Sequence, residues 1–211
     1  MAMMLWLSWA IDVAKDAAFC FYYSENLGLF EKMGAELSFF SPLEDAVPPA
    51  EADCLYFGGG YPELYAEKLS ANASMRESVR AAHARGVPIF AECGGFLYLN
   101  RLLDGYAMAG VLHGESVNKH KPVRFGYVEL EANEDCLIAK KGARLRGHEF
   151  HYYDCTENGE AFTARRKGSE YRCTAAGKTI AAGFAHVHFY SNLECAAVFY
   201  ENCLEAKKCR K

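Results

Sequence analysis

Apolar residues in the first hundred positions fall into short unbroken runs, separated by stretches where they recur every three or four residues. Unbroken runs suit strands covered on both faces, and the wider spacing suits helices laid over them, so the pattern predicts a parallel sheet flanked by helices. Residues 8 to 14 read as the first strand, AELSFF (35–40) as the second, CLYF (54–57) as a buried central strand and VPIFAE (87–92) as the next. Ser24 is placed to cap a helix whose Leu27, Phe30 and Met33 share a face, with Gly34 at its end. A proline-rich loop follows from Pro42 to Pro49, and helical spacing runs from Pro62 to about Ala84 with a break near Asn72 and a stop at Gly86. FLYLNRLL, after Gly95, also reads as helix. Beyond about residue 106 the segments become strand-like, in RFGYVELEA, RGHEFHYYDC and EAFTARR, before a terminal helix from about Asn192 to Lys208. No repeat or linker interrupts this order, so residues 1–211 read as one domain, with residues 1 to about 8 as a leader.

Composition narrows the classes without naming one. A hydrophobic content of 51% is globular, and a net charge of -4 without long like-charge runs leaves no footprint for nucleic acid. The apolar opening MAMMLWLSWA lacks a basic flank and runs straight into Asp12, Lys15 and Asp16, which fits neither a secretion signal nor a membrane span. Nine cysteines at irregular spacing, with no CxxC pair, suit a reducing cytoplasm. The seven histidines form no tetrahedral zinc pattern, and the HxH of His186 and His188 lacks a third ligand by spacing, so no metal is expected.

Three segments carry candidate chemistry. The strand ending in Ala91 and Glu92 delivers Cys93 into Gly94, Gly95 and a helix, the arrangement of a nucleophile elbow. A helix N-terminus and a nearby histidine would favour the reactive thiolate, whereas a cysteine in an arbitrary position is usually a small buried hydrophobe. Gly58, Gly59 and Gly60 close the CLYF strand, so that the Gly59 and Gly94 N–H groups would make a two-donor oxyanion hole. GFAHVHFY presents His186 and His188 on one face of a strand, either of them a candidate general base or a satisfied core histidine. RGHEFHYYDC adds His148, Glu149 and His151, read as a substrate or interface patch.

KDAAFCFYYSENL (15–27), FFSPLED (39–45), YFGGGYPELYAEKLS (56–70), AECGGFLYL (91–99), RGHEFHY (146–152) and AHVHFYSN (185–192) together resemble the glutaminase half of the cobyrinic acid a,c-diamide synthases. The resemblance runs through nearly the whole chain, and GGGYPELYA with GHEFHY separates it from the related cobyric acid synthases. It implies a flavodoxin-like, class I (triad) glutamine amidotransferase domain with a mixed, mostly parallel sheet. Its implied site has Cys93 as nucleophile, His186 as base, Gly59 and Gly94 at the oxyanion, and His188 and Glu149 as supporting groups. Glutamine would be hydrolysed through a cysteine thioester, and the ammonia used to amidate the a- and c-carboxylates of cobyrinate in cobalamin biosynthesis.

Two departures bear on that reading. Triad amidotransferases usually carry a glutamate two residues after the histidine, and here that place is His188, which leaves the orienter of the base open. The family's N-terminal ATP-binding synthetase domain has a P-loop, and no GxxxxGK[ST] occurs in these 211 residues. ATP and magnesium are therefore expected in a synthetase domain or subunit that would also hold the corrinoid acceptor, with no cofactor in this chain. The acceptor stays open among cobyrinate, hydrogenobyrinate and a nickel sirohydrochlorin. Other open readings are a cobyric acid synthase-like enzyme, a hydrolase or cysteine protease built on the same elbow, and an inactive docking domain.

Overall fold

The structure, a computed structural model, describes residues 8–49 and 52–210, so the expected leader lies outside the described residues apart from Ser8. Six strands form the central sheet in the order Ala175–Ala176, Ile180–Gly183, Ile89–Glu92, Cys54–Phe57, Trp9–Ala14, Ala35–Phe40. Neighbours run parallel except at the Ala175–Ala176 edge, which returns antiparallel on Ile180–Gly183. Successive side chains of a strand point to opposite faces, and both faces of the sheet's centre are covered, which is why Cys54–Phe57 is apolar and buried at every position, while the edge strand Ala35–Phe40 leaves Glu36, Ser38 and Phe39 exposed.

On one face Trp9, Ile11, Tyr56 and Phe90 pack against the helices Ser24–Lys32 and Leu193–Cys209. Trp9 lies edge-on to Phe30, Phe199 and Tyr200, with ring centroids 6.0, 5.6 and 5.4 Å away. On the other face Leu55, Phe57, Ile89 and Ala91 meet the helices Ala66–Ala71, Ala73–Ala84 and Gly94–Leu99. Asn72 breaks the helical run as expected and caps the second part, its Oδ1 accepting the Met75 N–H at 3.3 Å.

A second sheet, antiparallel throughout, has the order Ser169–Cys173, Phe162–Arg166, Arg124–Ala132, Arg144–His151, His186–His188. The chain leaves the central sheet at Gly183 and enters the second at His186, so the HxH segment sits where the two sheets meet.

Two local expectations change. Ser24 is the first helical residue, with its hydroxyl turned to Glu25 rather than capping, and Tyr23 occupies the cap position without a side-chain bond. FLYLNRLL is helical only to Leu99, because Asn100 is extended and fully buried, its amide donating to the Phe96 carbonyl at 2.8 Å. Leu102–Leu103 then forms a strand.

Candidate active site

The Ile89–Glu92 strand ends at the carboxyl edge of the central sheet, and Cys93 turns the chain into Gly94–Leu99 with φ 48° and ψ −101°. A residue with a side chain holds such a conformation at a cost of about 1–3 kcal/mol, so the surroundings must impose it. Cys93 N–H donates to Gly183 O at 2.8 Å, Gly95 N–H to Gly58 O at 2.9 Å, and Leu97 N–H to Cys93 O at 3.0 Å. The first two tie the turn to the strands on either side of it, and the third begins the helix. The strand, strained turn and short helix of a nucleophile elbow are all present.

Gly58, Gly59 and Gly60 do not behave alike. Gly58 N–H is taken by the Tyr22 hydroxyl at 2.9 Å, and that hydroxyl donates in turn to Ala14 O. Gly59–Gly60 pairs antiparallel with Phe19–Phe21. Gly59 lies directly against His186, where any Cβ would collide with ring carbon Cε1. A Cβ on Gly94 would stand 2.9 Å from Pro62 Cδ and 3.0 Å from Gly60 N, so the two backbones meet at contact distance. Gly94 N–H also faces the Cys93 sulfur as a hydrogen-bond donor. Cys93, Gly94, Gly59 and His186 are thereby gathered into one cluster from three separate stretches of chain.

Burial governs the charges of this cluster. Cys93 is 8% exposed and its thiol is pushed up to about 12, first by burial and then by the Glu63 charge, while the Gly94 N–H pulls it down. That corrects the expectation that elbow and histidine together favour thiolate: a six-residue helix does not offset loss of water around the sulfur. His186 is pushed down to about 3 by burial, with the neighbouring His148 and His151 adding to the shift. Both members of the pair are neutral at pH 7.

The His186 ring stacks on His148 at 4.7 Å and 13° and meets Phe21 edge-on at 4.7 Å. Its Nδ1 is buried with no hydrogen-bond partner among the described residues. His148 itself is held by Tyr23, whose hydroxyl lies 2.6 Å from Nδ1. His188 meets the rings of Tyr23 and Tyr190 at the wall of a groove of about 760 Å³ that also includes Tyr127 and Arg146. Glu149 is buried on the opposite side of its strand from His148, bonded to the Tyr171 hydroxyl, with Oε1 unpartnered. Neither supporting candidate forms a hydrogen bond with His186 among the described residues.

Two groups that sequence reasoning did not single out fix this histidine strand. Glu92, 1% exposed, accepts the Val187 N–H at Oε1 and the Tyr56 hydroxyl at Oε2, each at 2.7 Å. Asn26, fully buried, donates to Val187 O at 2.7 Å and accepts from Phe189 N–H at 2.9 Å. The signal for Glu92 was a charged residue closing an otherwise apolar strand; Asn26 gave none. No group of three residues suited to hold a metal ion occurs among the described residues.

The sequence family described as the CobB/CobQ-like glutamine amidotransferase domain matches residues 10–193. Cobyrinate a,c-diamide synthase from Listeria innocua is 46% identical over 192 residues, covering 86% of this chain and 42% of that protein. The protein of the same name from Caldanaerobacter subterraneus is 42% identical over 202 residues, covering 92% and 45%. The chain thus spans less than half the length of these relatives. Among solved structures, PurLQS from Thermotoga maritima superposes with a TM-score of 0.63 at 16% identity over 94% of this chain and 99% of that one. A glutamine amidotransferase from the same organism gives 0.58 at 13% identity, over 95% and 85%. These show the fold, an open α/β sheet of the amidotransferase kind, as the sequence led one to expect. The match over residues 10–193 and the shared fold place the chain in the CobB/CobQ-like glutamine amidotransferase domain family.

Proposed function

We propose that this chain hydrolyses glutamine and delivers the ammonia to an ATP-dependent ligase that amidates the a- and c-carboxylates of cobyrinate. The observation that carries the glutaminase part is the strained Cys93 elbow packed against the Gly59–Gly60 strand beneath His186. His186 takes the thiol proton as the sulfur attacks the side-chain amide carbon of glutamine, and the Gly59 and Gly94 N–H groups receive the developing oxyanion. The imidazolium returns its proton to the leaving nitrogen, ammonia departs, and a glutamyl thioester remains. Water activated by the same histidine then cleaves the thioester to glutamate. The acceptor rests on the names of the relatives, which are more than twice as long as the part matched here.

ATP and magnesium belong, in this reading, to the remaining part of such an enzyme. The neutral, covered Cys93 and His186 support activation by that partner, since a site assembled on engagement does not waste glutamine. Exposed aromatic rings offer it a surface: Phe21, edge-on to His186, is 40% exposed, and Tyr127, Phe150, Tyr152 and Tyr190 are 87%, 59%, 44% and 43% exposed. All nine cysteines are free, which fits a reducing cytoplasmic setting. Among the described residues no helix is long and apolar enough to cross a membrane.

The test is glutamine hydrolysis in the presence of the ligase part. Cys93→Ala should abolish it and His186→Ala should lower it about 100-fold or more, with a smaller loss for His188→Ala. A near-wild-type His186→Ala beside an inactive His188→Ala would overturn the choice of base. A diazo-ketone analogue of glutamine should attach to Cys93; its failure to label any cysteine would favour a domain that only docks.

A further inference from the structure

One carboxylate joins the two halves of the site. Glu92 is the residue before Cys93, and its Oε1 accepts the N–H of Val187, the residue after His186. The elbow belongs to the central sheet and the histidine to the second sheet, so this bond crosses between the sheets at the point where nucleophile and base must be held in register. Its other oxygen is fixed by the Tyr56 hydroxyl, and Tyr56 is locked by stacking on Phe90 at 4.9 Å and by Tyr22 edge-on at 5.1 Å. Tyr22 is the residue that holds Gly58. No ring atom of His186 is bonded by a carboxylate among the described residues, and its Nδ1 is without a partner.

We infer that Glu92 is a positioning residue for the base, setting His186 relative to Cys93 through the Val187 peptide rather than through the imidazole ring. The inference rests on the glutaminase reading of Cys93 and His186. Its physical content is reach: a carboxylate with both oxygens fixed by partners in rigid surroundings leaves the His186 backbone little freedom, and a misplacement of about 1 Å at a reacting group costs about 100-fold in rate. A glutamine side chain preserves this device, because its Oε1 can accept from Val187 and its amide can donate to the Tyr56 oxygen. Alanine removes it, and aspartate is one methylene too short to meet both partners.

The experiment uses the full chain and the rate at which a diazo-ketone glutamine analogue labels Cys93, read by peptide mass spectrometry. Glu92→Ala should label about tenfold more slowly than wild type, and Glu92→Gln within about threefold of it. His186→Ala should be slower by about 100-fold, and the double variant E92A/H186A no slower than H186A alone, because Glu92 acts only through His186. If E92A does not fold by circular dichroism, E92D takes its place with the same pattern. The inference is overturned by wild-type labelling in E92A or E92D, by E92Q as slow as E92A, or by losses that multiply in the double variant. Wild-type labelling in H186A would instead remove the assignment of the base, which separates failure of the site from failure of Glu92.

Discussion

Cys93 and His186 stand as a neutral pair because burial raises the acid and lowers the base, and that sets how the nine thiols rank in reactivity. At pH 7.5 iodoacetamide should modify the exposed Cys20 and Cys209 first and Cys93 slowly, with the Cys93 rate climbing as pH rises. Peptide mapping over a pH series checks this; alkylation of Cys93 as fast as Cys20 at neutral pH would contradict the protonated thiol. Gly59 is sensitive for a different reason, since a methyl there displaces the His186 ring. Gly59→Ala should lower kcat about 100-fold while costing about 1–3 kcal/mol of stability, measured by steady-state kinetics and urea unfolding. Glu92 gives a pH signature. Burial pushes its carboxyl up to about 7 from an ordinary 4.5, so the folded chain binds this proton more tightly than the unfolded one. Stability from this group is complete below pH 4.5 and is lost as pH rises through 7; His186, lowered to about 3 from 6.5, acts oppositely and loses stability as pH falls from 6.5 towards 3. Glu92→Gln mimics the protonated form, so its stability relative to wild type should increase from pH 5 to pH 8, by up to about 3 kcal/mol in urea titrations.

At the scale of elements, the histidine strand is short, three residues, and its position is borrowed from its neighbours. Arg144–His151 pairs with it on one side, Glu92 holds Val187 N–H, and Asn26 from the Ser24–Lys32 helix takes Val187 O and Phe189 N–H. Asn26→Ala would leave two buried backbone groups unsatisfied, each worth about 1–3 kcal/mol, so a loss of about 2–6 kcal/mol is expected in denaturant unfolding. Activity should fall with it even where the fold survives. A loss below about 0.5 kcal/mol would mean that water replaces the amide. The elbow is organised in the same way: its strain is met by Gly183 on one neighbouring strand and Gly58 at the end of the other, not by anything within the turn itself.

For the whole molecule, the consequence is a site closed in isolation and bordered by exposed aromatics on the second sheet. The chain alone should show slow glutamine hydrolysis and no ATP hydrolysis, and the ligase part should raise the glutaminase rate at least about tenfold. Tyr127→Glu and Phe150→Glu should remove that stimulation while shifting stability by less than about 0.5 kcal/mol, as surface changes usually do. Coupled glutaminase assays with and without the ligase part test both statements. Full stimulation in both variants would place the partner elsewhere, and ATP turnover by the isolated chain would contradict the division of labour.

The parallel sheet, its flanking helices and the elbow were legible in the sequence, because unbroken apolar runs and the glycines after Cys93 are local consequences of burial and close backbone approach. Cys93, Gly94 and Gly59 could be nominated for the same reason, each being marked by its immediate neighbours in the chain, whereas spacing left His186 and His188 equal and only the family resemblance chose His186. What the sequence could not rank were the side chains that hold the base in place. Asn26 lies 161 residues from Val187, and His148 pairs with His186 only through strand register. The protonation states were equally hidden: helix terminus and histidine argue locally for a thiolate, and only the closed packing of the two sheets, which removes water from the sulfur and the imidazole, decides for the neutral pair.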